Sequence, residues 1–107
     1  MYEVILLRGA REYLDALELR HQAKVEAALA HLGLNGPDLR RPHADVARGK
    51  IRELRCGLGR LEHRLLYFFD GRKILVTHGF LKKTDKLPAR ELNRADRIHE
   101  AYYTRPR

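Results

Sequence analysis

The sequence lacks the features that mark secreted and membrane-spanning proteins. It has a single cysteine, Cys56, so an internal disulfide is excluded and a reducing cytoplasm is the expected compartment. No apolar run approaches the roughly 18 residues that a membrane-spanning helix requires, so no membrane partner is expected. The short apolar stretch at the amino terminus has no basic region before it. We therefore interpret this stretch as a first strand and not as a signal peptide.

Motifs for common catalytic machinery are also missing. No HExxH, CxxC, Walker or dinucleotide-binding motif occurs, and the six histidines are scattered without the spacing of zinc ligands. We therefore expect neither a metal nor a cofactor. Cys56 has no neighbouring signature of a nucleophile, and a free cysteine of this kind is more often a small buried residue.

Basic residues are in clear excess. Lysine and arginine number 22 against 14 acidic residues, which gives a net charge of +8 on a chain of 107 residues. This length suits one domain, spanning residues 1–107. The charge points to a polyanionic partner such as nucleic acid, or to an acidic protein. A solvated basic surface without a specific role is the alternative.

Three strand-like runs form the predicted centre of the fold. They cover Lys50–Cys56, Leu61–Phe69 and Lys73–Leu81, and each is rich in leucine, β-branched or aromatic residues. Glycine-containing turns at 57–59 and 70–71 separate them. Two successive hairpins predict an antiparallel meander.

Two amphipathic helices are predicted before the meander. After a strand at Tyr2–Leu7, apolar residues recur at helical spacing. Gly33 is the predicted end of the second helix, and His21 and His31 are predicted to be solvated residues at its two ends. The two apolar stripes consist of Ala10, Tyr13, Leu14 and Leu17, and of Val25, Ala28, Leu29 and Leu32.

The remaining segments complete the predicted architecture. Prolines make Leu34–Gly49 a predicted loop, to which we assign no catalytic role, and Pro88 suits the first turn of a final helix. Thr104–Arg107 is predicted to be disordered. The predicted class is α+β: an antiparallel twisted sheet, made of the first strand and the meander, with two amino-terminal helices packed on it and a carboxy-terminal helix.

Charged residues on the meander are the candidate site. Arg64 lies within an apolar strand, where an unpaired guanidinium is costly to bury. One interpretation is a structural pair with Glu53 or Glu62, and the other is an anion-binding surface. Arginine and lysine bind phosphate, and glutamate or histidine can move a proton, so this inventory suits metal-free phosphodiester cleavage. The candidates are Glu53, Arg55, His63, Arg64, Lys82 and Lys83.

Three segments carry a resemblance to a known family. They are IRELR at Ile51–Arg55, HRLLYFFDGRKILVTHGF at His63–Phe80, and KKTDKLPARELNRA at Lys82–Ala95. They lie within residues 51–95, a span of somewhat less than half the chain. In their order and spacing the sequence resembles the RelE/ParE superfamily of toxins, and most nearly its HigB-like, phage-derived branch. The resemblance implies a RelE-like fold.

The resemblance also implies a function. It indicates a metal-independent endoribonuclease that cleaves mRNA, commonly on the ribosome, by attack of the ribose 2′-hydroxyl on the adjacent phosphate. It implies an antitoxin partner, typically a helix-turn-helix DNA-binding protein. Arg55 and Arg64 match basic strand positions of the family, and Lys82 and Lys83 match its positive charge after the last strand.

One departure leaves the general base open. Related proteins carry a tyrosine shortly after the basic cluster, where this chain has Thr84, Asp85, Lys86 and Leu87. Glu53 and His63 are the alternatives for the base. Two other functions stay open: a ParE-like toxin that inhibits DNA gyrase without cleaving RNA, and a basic nucleic-acid-binding module without catalysis.

Overall fold

Five strands and three α-helices build the protein in the computed structural model, which describes residues 1–105. The strands are β1 (Glu3–Leu6), β2 (Ala44–Arg48), β3 (Ile51–Leu58), β4 (Leu61–Asp70) and β5 (Lys73–Leu81). The helices are α1 (Arg8–Asp15), α2 (Leu19–Asn35) and α3 (Ala89–Thr104), with a short 3₁₀ turn at Gly36–Asp38. One sheet holds all five strands in the order β1-β5-β4-β3-β2. The predicted α+β class is confirmed.

The predicted meander is present as β3, β4 and β5. Each strand pairs antiparallel with the next. Gly59 and Gly71 lie in the two tight turns with φ of 62° and 58°, a conformation that glycine adopts without strain. The first turn comes later than predicted, because β3 continues to Leu58.

Two details of the predicted sheet are wrong. β1 runs parallel to β5, whereas the sheet was predicted to be antiparallel throughout. The predicted loop Leu34–Gly49 contains β2, which pairs antiparallel with β3. This strand is short and half polar, so its pairing with β3 defines it better than its own sequence does.

The sheet is covered on both faces. α1 and α2 pack on one face, and the predicted apolar stripes supply much of that core. α3 packs on the other face and covers a second, smaller core. The first core includes Ala10, Leu14, Val25, Leu29, Leu32, Leu54, Cys56, Leu65, Tyr67 and Val76. The second includes Ile51, Leu66, Phe68, Leu75, Phe80 and Ala95.

Helix boundaries differ from the predictions at three points. Gly33 lies inside α2, which ends at Asn35 and is followed by Gly36 with φ of 54°. Pro88 immediately precedes α3 instead of lying in its first turn. Thr104, predicted to be disordered, is the last residue of α3, and the predicted tail at 106–107 lies outside the described residues.

Within residues 1–105, no helix is both long enough and apolar enough to cross a membrane.

Candidate anion-binding site

Two arginines and a buried glutamate form the centre of the candidate site. Arg55 on β3 and Arg64 on β4 are direct cross-strand partners. Glu53, two residues before Arg55, lies on the same face because alternate residues of a strand point the same way. Its Oε1 accepts a hydrogen bond from Arg55 Nε at 2.6 Å and lies 3.8 Å from Arg64 Nε. The carboxylate therefore sits between two guanidinium groups that would otherwise repel each other.

Two of these three side chains are buried. Glu53 is 3% exposed and Arg64 is 7% exposed. Arg64 Nη1 donates to Glu62 Oε1 and to the carbonyl oxygen of His63, both at 3.1 Å. Both carboxylates that the sequence offered as structural partners of Arg64 are thus in contact with it. Arg64 Nε is buried and has no hydrogen-bond partner among residues 1–105.

Further charges surround Arg55. Its Nη2 lies 3.6 Å from Asp45 Oδ2 on β2. Arg41 Nε donates to the same carboxylate at 2.8 Å, and this hydrogen bond is the main reason that the pKa of Asp45 is lowered. Arg55 is therefore fixed by one carboxylate within the sheet and another at its edge.

The two candidate lysines lie just beyond β5. The backbone N–H of Lys82 donates to the carbonyl oxygen of Glu62 at 2.8 Å, so Lys82 continues the pairing with β4. The next residue, Lys83, is exposed. Lys82 is thus held beside the strand end that carries Arg64, while Lys83 extends into solvent from the same segment.

His63 lies on the opposite face of the sheet from Arg64. It is fully buried beneath α1 and α2, where its Nδ1 lies 2.5 Å from Tyr13 Oη and its Nε2 lies 2.9 Å from His21 Nδ1. Burial, and then the neighbouring His21, lower the pKa of His63. Burial also raises the pKa of Tyr13 to about 12. His21 was predicted to be solvated, which is wrong, because His63 provides a buried partner for it.

The six candidates therefore divide into two groups. Glu53, Arg55 and Arg64 are in contact, and Lys82 and Lys83 follow at the end of β5. His63 is separated from them by the sheet. Of the two alternatives for a general base, Glu53 shares the arginine face but is buried and bound to Arg55, and His63 faces the helices.

An open pocket of about 610 Å³ adjoins the arginines. The last backbone contact on this side of β3 is the bond from Arg55 N–H to the carbonyl oxygen of His43 at 2.8 Å, and the later part of β3 has a free edge beside the pocket. His31 from α2 and His43 from the segment before β2 both line it, with their rings edge to face and 4.9 Å between centroids. The full lining is Lys24, Ala27, Ala28, His31, Pro42, His43, Leu54, Arg55, Cys56, Gly57, Glu62 and Arg64.

Sequence reasoning missed this pocket. The one sequence feature that could have indicated the pocket is the basic character of the segment around His43. His31 was correctly predicted to be exposed, but nothing local indicated that His43 would lie against it.

A second buried polar cluster joins β5 to α3. His78 is 1% exposed, its Nδ1 lies 2.9 Å from Thr77 Oγ1, and its Nε2 lies 3.0 Å from Glu91 Oε1. Burial, and then the charge of Arg94, lower the pKa of His78. A bulge at Thr77 shifts the β4–β5 register and turns His78 toward α3. No group of three or more His, Cys, Asp or Glu in the described part of the chain is arranged to hold a metal ion.

Comparison with solved structures identifies the class of fold. Seven chains match, among them one from the crystal structure of the toxin–antitoxin complex RelBE2 of Mycobacterium tuberculosis. The match has a TM-score of 0.57 and 23% identity, and covers 76% of this chain and 98% of that chain. The fold is thus RelE-like.

The family follows from the sequence. Residues 12–100 match the family described as "Phage derived protein Gp49-like (DUF891)", and the chain belongs to that family. No curated protein matches the chain. The structural match confirms the predicted RelE-like fold, and the family match confirms the predicted likeness to phage-derived proteins.

Proposed function

We propose that the protein is the toxin of a toxin–antitoxin pair and that it cleaves mRNA. Its membership of a phage-derived family and the RelE-like fold support the first part. The observation that carries the second part is the pair Arg55 and Arg64, held side by side across two strands by the buried carboxylate of Glu53.

The chemistry suits RNA cleavage through the 2′-hydroxyl. Attack of this oxygen on the adjacent phosphate adds negative charge to the phosphate oxygens in the transition state, and fixed cations stabilise that state more than the ground state. Loss of one such donor typically costs about 3–4 kcal/mol, or 10²–10³ in rate. Arg55 and Arg64 are the proposed phosphate ligands, with Lys82 and Lys83 as further cations for the RNA backbone.

The partners follow from the same proposal. We propose a cognate antitoxin, because the matched RelBE2 chain comes from a toxin–antitoxin complex. The resemblance to the HigB-like branch suggests that this antitoxin is of the helix-turn-helix DNA-binding type. We propose mRNA as the substrate, the translating ribosome as the place of cleavage and the cytoplasm as the compartment. The net charge of +8 suits association with RNA.

Primer extension on translated mRNA tests the proposal. We expect wild-type protein to yield defined cleavage products, each with a 2′,3′-cyclic phosphate and a 5′-hydroxyl. Arg55→Ala and Arg64→Ala should each lower the cleavage rate by at least about 10²-fold. Arg72→Ala is the matched control, because Arg72 is exposed in the β4–β5 turn at the other end of the strands. Unchanged cleavage by folded Arg55→Ala and Arg64→Ala variants would remove both residues from the active site.

A binding module without catalysis is the second candidate. The observation that favours it is that both arginines already have carboxylate partners, Glu53 and Glu62 for Arg64 and Glu53 and Asp45 for Arg55. Such a module would bind single-stranded RNA with a steep salt dependence and leave it intact. Intact RNA after incubation with tightly bound wild-type protein, on and off the ribosome, would favour this candidate.

A further inference from the structure

Neither of the two predicted general bases, Glu53 and His63, is free beside the arginine pair. Glu53 is buried and hydrogen-bonded to Arg55, and His63 lies beneath the helices on the other face. Cleavage through the 2′-hydroxyl requires a base for that hydroxyl and an acid for the departing 5′-oxygen. Two exposed imidazoles line the pocket that Arg55 and Arg64 also line.

We propose that this pocket is the ribose-phosphate site of the enzyme and that His31 and His43 are its general base and general acid. The inference rests on the proposed RNA cleavage and adds the proton-transfer groups to it. One neutral imidazole takes the proton of the 2′-hydroxyl while O2′ bonds to phosphorus. The bond from phosphorus to O5′ breaks, and the other imidazole, protonated, gives its proton to O5′. The products are a 2′,3′-cyclic phosphate and a 5′-hydroxyl.

The charge of the pocket favours a phosphate. Lys24, Arg55 and Arg64 line it against the single carboxylate of Glu62. Within residues 1–105, no carboxylate lies within 4.0 Å of the Lys24 ammonium group, so Lys24 is available to an anion. The volume of about 610 Å³ falls in the range of about 300–1,000 Å³ that small-ligand sites occupy.

Two imidazole rings lie together at one side of the pocket. His31 and His43 are in edge-to-face contact, with an angle of 78° between their planes. An imidazole can either accept or donate a proton, so two imidazoles in one pocket offer a group for each role. The other titratable groups that line the pocket are Lys24 from α2, Arg55 and Cys56 from β3, and Glu62 and Arg64 from β4.

A binding experiment tests the pocket without cleavage. Wild-type protein is titrated with a short single-stranded RNA whose 2′-hydroxyls are methylated, so that it cannot react. Imidazole resonances of His31 and His43 should shift on binding, while those of His99, which lies on α3 and packs on Phe68, should not. Lys24→Ala should weaken binding several-fold more than Arg20→Ala. Arg20 is an exposed cation on the same helix that does not line the pocket.

Kinetics test the proton transfer. His31→Gln and His43→Gln should each lower the single-turnover cleavage rate by about 10²-fold or more and remove one limb of the bell-shaped pH profile. Both residues are exposed, so thermal melting should be unchanged. Wild-type rates in both variants would overturn this inference and leave the proposed function standing. A wild-type protein that binds the methylated RNA but cleaves no RNA would overturn the proposed function and the proton-transfer role together. If the His31 and His43 resonances do not shift, the proposal that this pocket binds RNA is wrong.

Discussion

Replacement of Glu53 with glutamine removes the negative charge between Arg55 and Arg64 while the side chain keeps its shape. The two guanidinium groups then face each other across β3 and β4 without the carboxylate that bridges them. Charge-assisted hydrogen bonds contribute about 1.5–3 kcal/mol, and breaking a buried ion pair costs about 3–5 kcal/mol. Arg64 keeps Glu62 and Arg55 keeps Asp45. We therefore expect Glu53→Gln to lower the free energy of unfolding by about 2–4 kcal/mol.

Glu62→Gln is the matched control for that loss. Glu62 contacts the same arginine, but its side chain is 51% exposed whereas that of Glu53 is 4% exposed. Solvent screens an exposed pair, so this substitution should cost at most about 1 kcal/mol. Urea denaturation measures both variants, with an unchanged slope as the sign that only stability has changed. Equal losses in the two variants would refute the conclusion that burial gives the Glu53 bridge its strength.

The same variant separates charge from orientation in the proposed enzyme. Glu53→Gln makes the arginine face more positive by one charge, so it should bind non-cleavable RNA at least as tightly as wild type. It should nevertheless cleave more slowly, because the guanidinium groups are no longer held in one geometry. If Glu53→Gln both binds RNA more tightly and cleaves it faster than wild type, Glu53 does not orient the arginines for cleavage.

Three further predictions concern stability and access. The pKa values of His63 and His78 are lowered in the folded protein, mainly by burial, so the unfolded chain binds protons that the native chain excludes. The free energy of unfolding should therefore fall as pH decreases from 7 to 5, by up to about 1.4 kcal/mol per pH unit for each histidine, and a flat profile in urea titrations would contradict this. Cys56 is 3% exposed and burial raises the pKa of its thiol, so native protein should react with a thiol reagent much more slowly than denatured protein. Gly36→Ala should lower the melting temperature more than Gly71→Ala: both have positive φ, but an added methyl group meets an aromatic ring at Gly36 and open space at Gly71.

The parts of the fold that the sequence predicts are those with local signals. Tight turns at Gly59 and Gly71 mark the hairpins, and helical spacing marks α1 and α2. Strand alternation also predicts correctly that Arg64 and His63 lie on opposite faces. These signals depend on residues within a few positions of each other.

The features that the sequence does not predict depend on distant pairing. β2 is a strand because β3 pairs with it, and the parallel β1–β5 contact joins the first strand to the last. His21 is buried because it contacts His63 on β4, which is distant in the sequence. The pocket likewise requires α2, the segment before β2, and the free edge of β3 to come together. A short stretch of the sequence contains no pattern that indicates these long-range contacts.

The parallel contact between β1 and β5 sets the order in which the molecule can be completed. Residue 3 pairs with residue 73, so the first strand to be synthesised gains its partner only when the last strand, β5, has been made. α1 and α2 form from local contacts, but the sheet that covers their apolar faces is not whole until β5 has left the ribosome. A chain that stops short of β5 lacks both the strand beside Arg64 and the support for β1. Partly synthesised copies that end before β5 should therefore be targets for proteolysis.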